Sequence, residues 1–375
     1  MVLAVSLSVL TGCATAPLRI GENYPARTQQ ELLERVLGGS QDLIEPVDIL
    51  ESSSGLKAYI DTLVDREWTP RRKLQALRNM LFDEDNLNIQ YDNTKTKTAI
   101  ETFETKLGNC LSMTSLFISA ARYVNLDAHY QVVAVKPTWR RSGTTMINNE
   151  HINAVGKINK GTSYSIDFLP EELRDEPKAY PISDEEALGR YYSNLGVEHI
   201  VNGDLARALA YLRAALTIYP TLADGWNNMG AAQRRLGNQD LSEFSYLQAV
   251  TFDASHYTAM SNLARIYKER GEMPKAERYL KRVERFRAKN PYFLYYRAKS
   301  AFENRDYPSA ERYLKRAIVR KDDEPDFYVA LARLYRQTGD LGKSEAAMTK
   351  AHKIMDEESD IEDKMEILIH SSTTP

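Results

Sequence analysis

The stretch ADGWNNMGAAQRRLGNQDLSEFSYLQAVTFDASH, residues 223–256, is one of five in-register copies of a 34-residue pattern in this 375-residue chain. Each copy has a small residue at the same position: Gly196, Gly230, Ala264, Ala298 and Ala332. A second small position follows in each copy, at Ala208, Ser242, Ala276, Ala310 and Ser344, and then a large one, at Leu212, Tyr246, Leu280, Leu314 and Met348. One such unit cannot bury its apolar face alone, so the repetition predicts a stacked solenoid.

Each copy is expected to form two helices separated by a turn such as Asn202-Gly203-Asp204. The small residues would let the two helices approach closely, and the large residues would fill the groove between neighbouring units. The period and the W-x2-M-G pattern from Trp226 to Gly230 resemble the tetratricopeptide (TPR) family. The predicted units are 189–222, 223–256, 257–290, 291–324 and 325–358, and residues 359–375 are predicted to be a capping helix or tail.

In TPR proteins the first helix of each unit lines the concave surface. The resemblance therefore implies a peptide-binding groove lined by Asn227, Arg234, Arg265, Lys268, Tyr295, Lys299, Arg333 and Arg336. Arginine pairs carboxylates through two parallel hydrogen bonds, so this basic, partly aromatic set favours an acidic or C-terminal peptide of a protein partner. The alternative is that these charges only keep the helix faces solvated.

The N-terminus, MVLAVSLSVL, is apolar and leads into Leu10-Thr11-Gly12-Cys13. An apolar segment that ends in small residues is typical of a secretory signal. The L-T-G-C sequence resembles the bacterial lipobox, which implies cleavage before Cys13 and attachment of acyl chains such as palmitate to that cysteine. Residues 1–12 are thus predicted to be a lipoprotein signal peptide, and residues 13–52 a tether and the segment leading into the first domain. Because Ala14 rather than Asp follows Cys13, the resemblance favours sorting to the outer membrane. The protein is expected to face the periplasm there, although display outside the cell stays open. The alternative to the lipoprotein interpretation is an ordinary apolar N-terminus.

Composition excludes some classes of function. A net charge of −3 gives no reason to expect a nucleic-acid partner. No internal apolar run approaches the ~20 residues that a membrane span requires, so the membrane contact is expected through the lipid alone. The chain has two cysteines, and if Cys13 is acylated, Cys110 has no disulfide partner.

Cys110 lies in K-L-G-N-C-L-S, residues 106–112, directly before an amphipathic helical pattern. The free N–H groups and the dipole of a helix N-terminus favour a thiolate there. Strand-like runs follow at 128–135, 151–158 and 164–168, and His151 and Asp167 fall on two of them. The chain between the N-terminus and the repeats is therefore expected to be α+β, with a small antiparallel sheet packed against the Cys110 helix.

The segments G-N-C-L-S, E-H-I-N-A-V and Y-S-I-D-F together resemble the transglutaminase-like branch of the papain-type fold. The resemblance implies that residues 53–188 form such a domain, with Cys110 as nucleophile, His151 as its base and Asp167 orienting His151. The upstream donor that would complete an oxyanion hole has no convincing match; Tyr91 and Asn93 are the weak candidates. Taken singly, each triad residue could instead be structural: a buried cysteine, a hydrogen-bonded strand histidine and a strand-ending aspartate.

Three functions remain open from the sequence. The first is a thiol peptidase or amidase that works through an acyl-enzyme, the second is a transglutaminase that transfers the acyl group to an amine, and the third is a non-catalytic TPR adaptor. No cluster has the spacing of a zinc site, so no metal is predicted. Some relatives in this fold use calcium, but no acidic loop indicates it here, and no cofactor is expected. The stretch around Tyr180 and Pro181 is predicted to be a hinge between the two domains.

Overall fold

The computed structural model describes residues 26–38, 44–92, 94–134, 150–168, 179–359 and 368–371. The predicted signal peptide, the lipobox-like sequence with Cys13, and residues 13–25 and 39–43 of the predicted tether lie outside the described residues. The fold is α+β, as predicted: a mixed N-terminal domain is followed by an all-helical array.

The N-terminal domain contains five helices and six strands among the described residues. The helices are α1 (Ala26–Leu37), α2 (Ser54–Leu63), α3 (Pro70–Phe82), α4 (Ala99–Thr105) and α5 (Cys110–Tyr123). The strands are β1 (Gln90–Tyr91), β2 (Leu107–Gly108), β3 (His129–Ala134), β4 (Glu150–Asn159), β5 (Thr162–Ile166) and β6 (Ala179–Ile182). A last strand, β7 (Leu368–Ser371), comes from the C-terminal end of the chain.

The main sheet is antiparallel and has the strand order β6-β3-β4-β5-β7, and β1 and β2 form a separate parallel pair. Helix α5 packs against β4, and its Phe117 ring meets the buried Tyr164 ring of β5 edge to face, with the ring centroids 6.3 Å apart. Every residue of α5 from 111 to 121 is buried. The helix that begins with Cys110 is therefore the centre of the domain core, which fixes the position of its first turn.

The helical array consists of five antiparallel pairs. They are α6 (Asp184–Asn202) with α7 (Leu205–Ile218), α8 (Ala223–Arg235) with α9 (Gln239–Phe252), α10 (Tyr257–Glu269) with α11 (Met273–Arg287), α12 (Pro291–Glu303) with α13 (Tyr307–Ile318), and α14 (Pro325–Thr338) with α15 (Leu341–Ser359). Each predicted repeat unit contains one pair. The first helix, however, begins before residue 189, because Ser183 caps it directly after β6.

The small residues of the repeat allow close contact between the two helices of a unit, as predicted. A Cβ atom added at Gly196 would lie 2.7 Å from the Leu212 side chain, and one added at Gly230 would lie 2.7 Å from the Tyr246 ring. These large residues therefore pack inside their own unit, which corrects the expectation that they fill the groove between units. In the third unit the corresponding Leu280 is 40% exposed.

Three other expectations about the connecting segments are wrong. The predicted hinge is strand β6, which pairs with β3, so Pro181 lies within the sheet. Part of the predicted tether is helix α1, whose buried Leu32 and Val36 pack in the core and whose Val36 carbonyl accepts a hydrogen bond from Arg213 Nε at 3.0 Å. In the predicted capping segment, residues 368–371 form β7 and pair with β5.

The two domains share direct contacts. Tyr191 and Tyr192 of α6 are buried, and the Tyr192 hydroxyl accepts a hydrogen bond from Val47 N at 3.1 Å. Arg122 of α5 donates two hydrogen bonds to Asp184 of α6, at 2.6 and 3.0 Å. The array is thus joined to the domain that carries Cys110.

Candidate active site

Cys110 is the first residue of α5 and a half-buried free thiol. The preceding Asn109 caps the helix, since its side-chain oxygen accepts a hydrogen bond from Ser112 N at 3.0 Å. Such a cap satisfies one of the free N–H groups in the first turn and stabilises the start of the helix. The Cys110 side chain therefore stands at the positive end of a fully packed helix.

His151 and Asp167 come from neighbouring strands. His151 lies on β4 with 3% of its side chain exposed, and its Nε2 is 2.6 Å from Asp167 Oδ1. Asp167 is the residue immediately after β5, not a residue within the strand as the sequence pattern predicted. At the end of the strand, its carboxylate turns toward the His151 ring.

The pKa of His151 is raised by the groups around its ring. Burial lowers this pKa, but hydrogen bonds to Asp167 and Cys110, together with the negative charge on both groups, outweigh burial and raise the pKa from 6.5 to about 9. Because Asp167 holds Nε2, Nδ1 is the ring nitrogen left for Cys110. The structure thus brings the three predicted site residues together in the order cysteine, histidine, aspartate.

Asn153 is a site residue that the sequence reasoning missed. It lies two residues after His151 on β4, is 5% exposed, and its Nδ2 donates to Asp167 Oδ2 at 3.3 Å. The two oxygens of Asp167 are thus held by two side chains of one strand. Alternation along E-H-I-N places Asn153 on the same face as His151, and this was the available signal.

The chain beside Cys110 is held by β1 and β2. Tyr91 of β1 pairs with Gly108, two residues before Cys110, and is 45% exposed. Of the two weak candidates for a second oxyanion donor, Tyr91 therefore lies next to the loop that enters α5, and Asn93 lies outside the described residues. The backbone N–H groups of the first turn of α5 are the donors that the site itself supplies.

Within the described parts of the chain, no three histidine, cysteine, aspartate or glutamate side chains come together in a way that could hold a metal ion. None of the helices described there is both long enough and apolar enough to cross a bilayer.

The predicted groove residues differ in their contacts. Arg234 pairs with Glu269 at 2.7 Å, and Arg265 donates to Asn262 Oδ1 at 2.9 Å. Asn227 Oδ1 accepts from Asn262 Nδ2 at 3.2 Å, and Lys299 lies over the Tyr295 ring, 5.3 Å from its centroid. Lys268, Arg333 and Arg336 are exposed. The Arg234 charge is thus already balanced by Glu269, so it is the weakest of the basic candidates.

The raised pKa of His151 predicts a particular pH dependence of Cys110 alkylation. Below about pH 9 the ring is an imidazolium and attracts the anionic reagent iodoacetate, but not the neutral iodoacetamide. The ratio of the two alkylation rates should therefore fall several-fold as the pH rises through about 9. The ratio is measured by mass spectrometry of the Cys110 peptide between pH 6 and 10; a constant ratio there would contradict an imidazolium beside Cys110.

Comparison with known proteins agrees with both halves of the fold. Residues 57–158 match the model of the transglutaminase-like superfamily, a range that includes Cys110 and His151 and ends before Asp167. Residues 189–222, 223–256, 259–287 and 295–354 match models of the tetratricopeptide repeat. The chain therefore combines a transglutaminase-like domain with a following array of TPR repeats.

Solved structures resemble somewhat less than half of the chain, at low identity. They include Pseudomonas aeruginosa PilF (15% identity, 46% of this chain and 78% of that one, TM-score 0.27) and MamA (16%, 44% and 97%, TM-score 0.27). BtubC from P. vanneervenii is 20% identical over 47% of this chain and 83% of its own, with a TM-score of 0.28. Scores this low carry no functional information. No curated protein matches the chain.

Proposed function

We propose that this protein is a thiol peptidase or amidase that forms an acyl-enzyme on Cys110, with His151 as proton carrier and Asp167 as the group that orients it. The supporting observation is the ring of His151, which is hydrogen-bonded to Asp167 and to Cys110 and is buried. A histidine between a thiol and a carboxylate is the arrangement that nucleophilic catalysis by cysteine requires.

The chemistry follows from the charges. The Cys110 thiolate attacks the substrate carbonyl carbon, and the oxyanion that forms is stabilised by N–H groups of the first turn of α5. The C–N bond then breaks as the His151 imidazolium gives its proton to the leaving amine, which leaves a thioester on Cys110. Water attacks the thioester, His151 takes a proton from it, and the thiolate leaves with the carboxylic acid as product.

An amine can replace water in the second step, which would make the protein a transglutaminase. The same three residues serve both reactions, and the difference is whether the thioester meets water or an amine first. The half-buried Cys110 is not sealed from solvent, which favours hydrolysis.

The TPR array would supply the protein or peptide partner. TPR repeats in general mediate contacts between proteins, and the exposed Lys268, Arg333 and Arg336 favour acidic side chains or a C-terminal carboxylate. The L-T-G-C sequence supports acylation of Cys13 and attachment to the periplasmic face of the outer membrane. If Cys110 is inert, the same architecture favours a membrane-tethered adaptor.

Trapping the acyl-enzyme tests the proposal. The purified protein is mixed with p-nitrophenyl acetate, quenched in acid and analysed by intact mass and by peptide mapping. We expect one acetyl group on Cys110, followed by release of acetate in buffer. Transfer of most of the acetyl group to added cadaverine would identify a transglutaminase, and no acetyl group on Cys110 would overturn the enzyme and leave the adaptor.

A further inference from the structure

A short segment of the N-terminal domain, Lys95 to Thr98, holds the loop that leads into Cys110; we call it the strap. Lys97 N donates to Ser112 Oγ at 2.8 Å, and Lys97 Nζ donates to the Leu107 carbonyl at 3.2 Å. Ser112 is fully buried. The strap thus touches the chain on both sides of Cys110.

The strap also fixes Asn109, the residue that caps α5. Asn109 Nδ2 donates to Thr96 Oγ1 at 2.9 Å, while its Oδ1 accepts from both Ser112 N and Ser112 Oγ. Both ends of the amide are therefore held, and its orientation is determined by Thr96 as well as by the helix. Because Asn109 directly precedes Cys110, the geometry of this cap sets the direction in which the thiol points.

The strap itself is held by a residue of the helical array. Glu198 of α6 accepts a hydrogen bond from Thr96 N at 2.7 Å through Oε1, and its Oε2 is 3.7 Å from Lys95 Nζ. The Glu198 side chain is only 18% exposed, and Thr96 is 7% exposed. A charge-assisted hydrogen bond in partly buried surroundings is stronger than one in water.

We infer that Glu198 is a positioning residue for Cys110: through Thr96 and Asn109, the first TPR unit holds the start of α5 in the geometry that lets the thiol meet His151. The catalytic consequence of this inference rests on the proposed function. The path from Glu198 through Thr96 to Asn109 rests only on the hydrogen bonds described above. It makes the first helical pair part of the active site. Thr96 links the two halves of the chain, because its N–H donates to Glu198 and its Oγ1 accepts from Asn109.

Replacing Glu198 tests the inference in the full chain. In Glu198→Ala the Thr96 N–H loses its acceptor, so Asn109 is less well held and the acylation of Cys110 by p-nitrophenyl acetate should slow roughly tenfold, since small misplacements of a nucleophile are costly. In Glu198→Gln the side-chain oxygen still accepts from Thr96 N, and most of the rate should return. A loss in Glu198→Gln equal to that in Glu198→Ala would overturn the role as acceptor.

Asp184→Ala is the matched control. Asp184 is also a carboxylate of α6 that binds the N-terminal domain, but its partner is Arg122, which is at the far end of α5 from Cys110. Its loss should weaken the contact between the domains without slowing acylation. If Asp184→Ala and Glu198→Ala slow acylation equally, Glu198 only holds the domains together and the inference is wrong.

Hydrogen exchange separates this inference from the proposed function. In Glu198→Ala the amides of Thr96 and Ser112 should exchange faster than in the wild type, and in Asp184→Ala they should not. This readout needs no reactive cysteine. An inert wild-type Cys110 would therefore contradict only the proposed function. Unchanged hydrogen-exchange rates at both amides in Glu198→Ala would contradict the positioning role.

Discussion

The His151→Gln variant should lose roughly 10²- to 10³-fold in the rate of Cys110 acylation by p-nitrophenyl acetate, a loss typical of removing a positioned acid–base group. Glutamine roughly fills the space of the ring and keeps a donor for Asp167, but it cannot accept the proton of the Cys110 thiol, so the attacking thiolate is lost. The p-nitrophenolate itself leaves as an anion and needs no proton. Because His151 is buried, this substitution disturbs the fold less than alanine would. The rate is read from the release of p-nitrophenolate under single-turnover conditions.

His129 provides the control for this substitution. It lies on β3, and its Nε2 is 2.8 Å from Asp127 Oδ1, so it forms the same kind of pair as His151 with Asp167. Its side chain is 58% exposed. Among the described residues, no hydrogen bond joins it to Cys110. His129→Gln should therefore acylate at the wild-type rate. A wild-type rate in His151→Gln would remove His151 from the mechanism.

Gly156→Ala should destabilise the N-terminal domain by about 3 kcal/mol, near the upper end for overpacking a well-packed core. A Cβ atom at this position of β4 would lie 1.9 Å from the Asp127 carbonyl oxygen and 2.7 Å from the Tyr164 ring. The Tyr164 hydroxyl donates to the same carbonyl, so neither neighbour can move without breaking that hydrogen bond. The free energy of unfolding is measured by urea denaturation followed by circular dichroism.

Gly161→Ala is the comparison for this substitution. Gly161 follows β4 in the turn to β5, and a Cβ atom there would meet nothing within 4 Å. Alanine at 161 should change the free energy of unfolding by less than about 0.5 kcal/mol, as most exposed substitutions do. Equal stability of the two variants would mean that β4 can shift away from Asp127 at little cost.

The helical array and the core of the candidate site could be predicted because their signals are periodic or local. The 34-residue spacing of Gly196 and Gly230 requires a repeated helix pair, and the capped start of an amphipathic helix places Cys110 at its first turn. Asn153 was missed because a polar residue in an alternating strand also fits a solvated face. Its role appears only once β5 pairs with β4, since this pairing brings Asp167, the residue after β5, against Asn153.

The segments that were predicted wrongly take their structure from contacts with residues distant in the sequence. Pro181 suggested a hinge, but β6 lies at the edge of the sheet, where a strand tolerates proline because one side of it needs no partner. In the sequence, Leu368 and Ile369 continue a helical spacing that starts at Ile361 and Met365, yet residues 368–371 pair with β5 as a strand. A short apolar run does not distinguish the two structures by itself.

The strands on either side of the helical array, β6 before it and β7 after it, are the two outermost strands of one sheet. The chain is thus anchored in the same sheet both before and after the helical array. Pulling the two ends of the superhelix apart has a mechanical cost beyond the stiffness of the helices, since it also strips the hydrogen bonds between β7 and β5, the strand that ends beside Asp167.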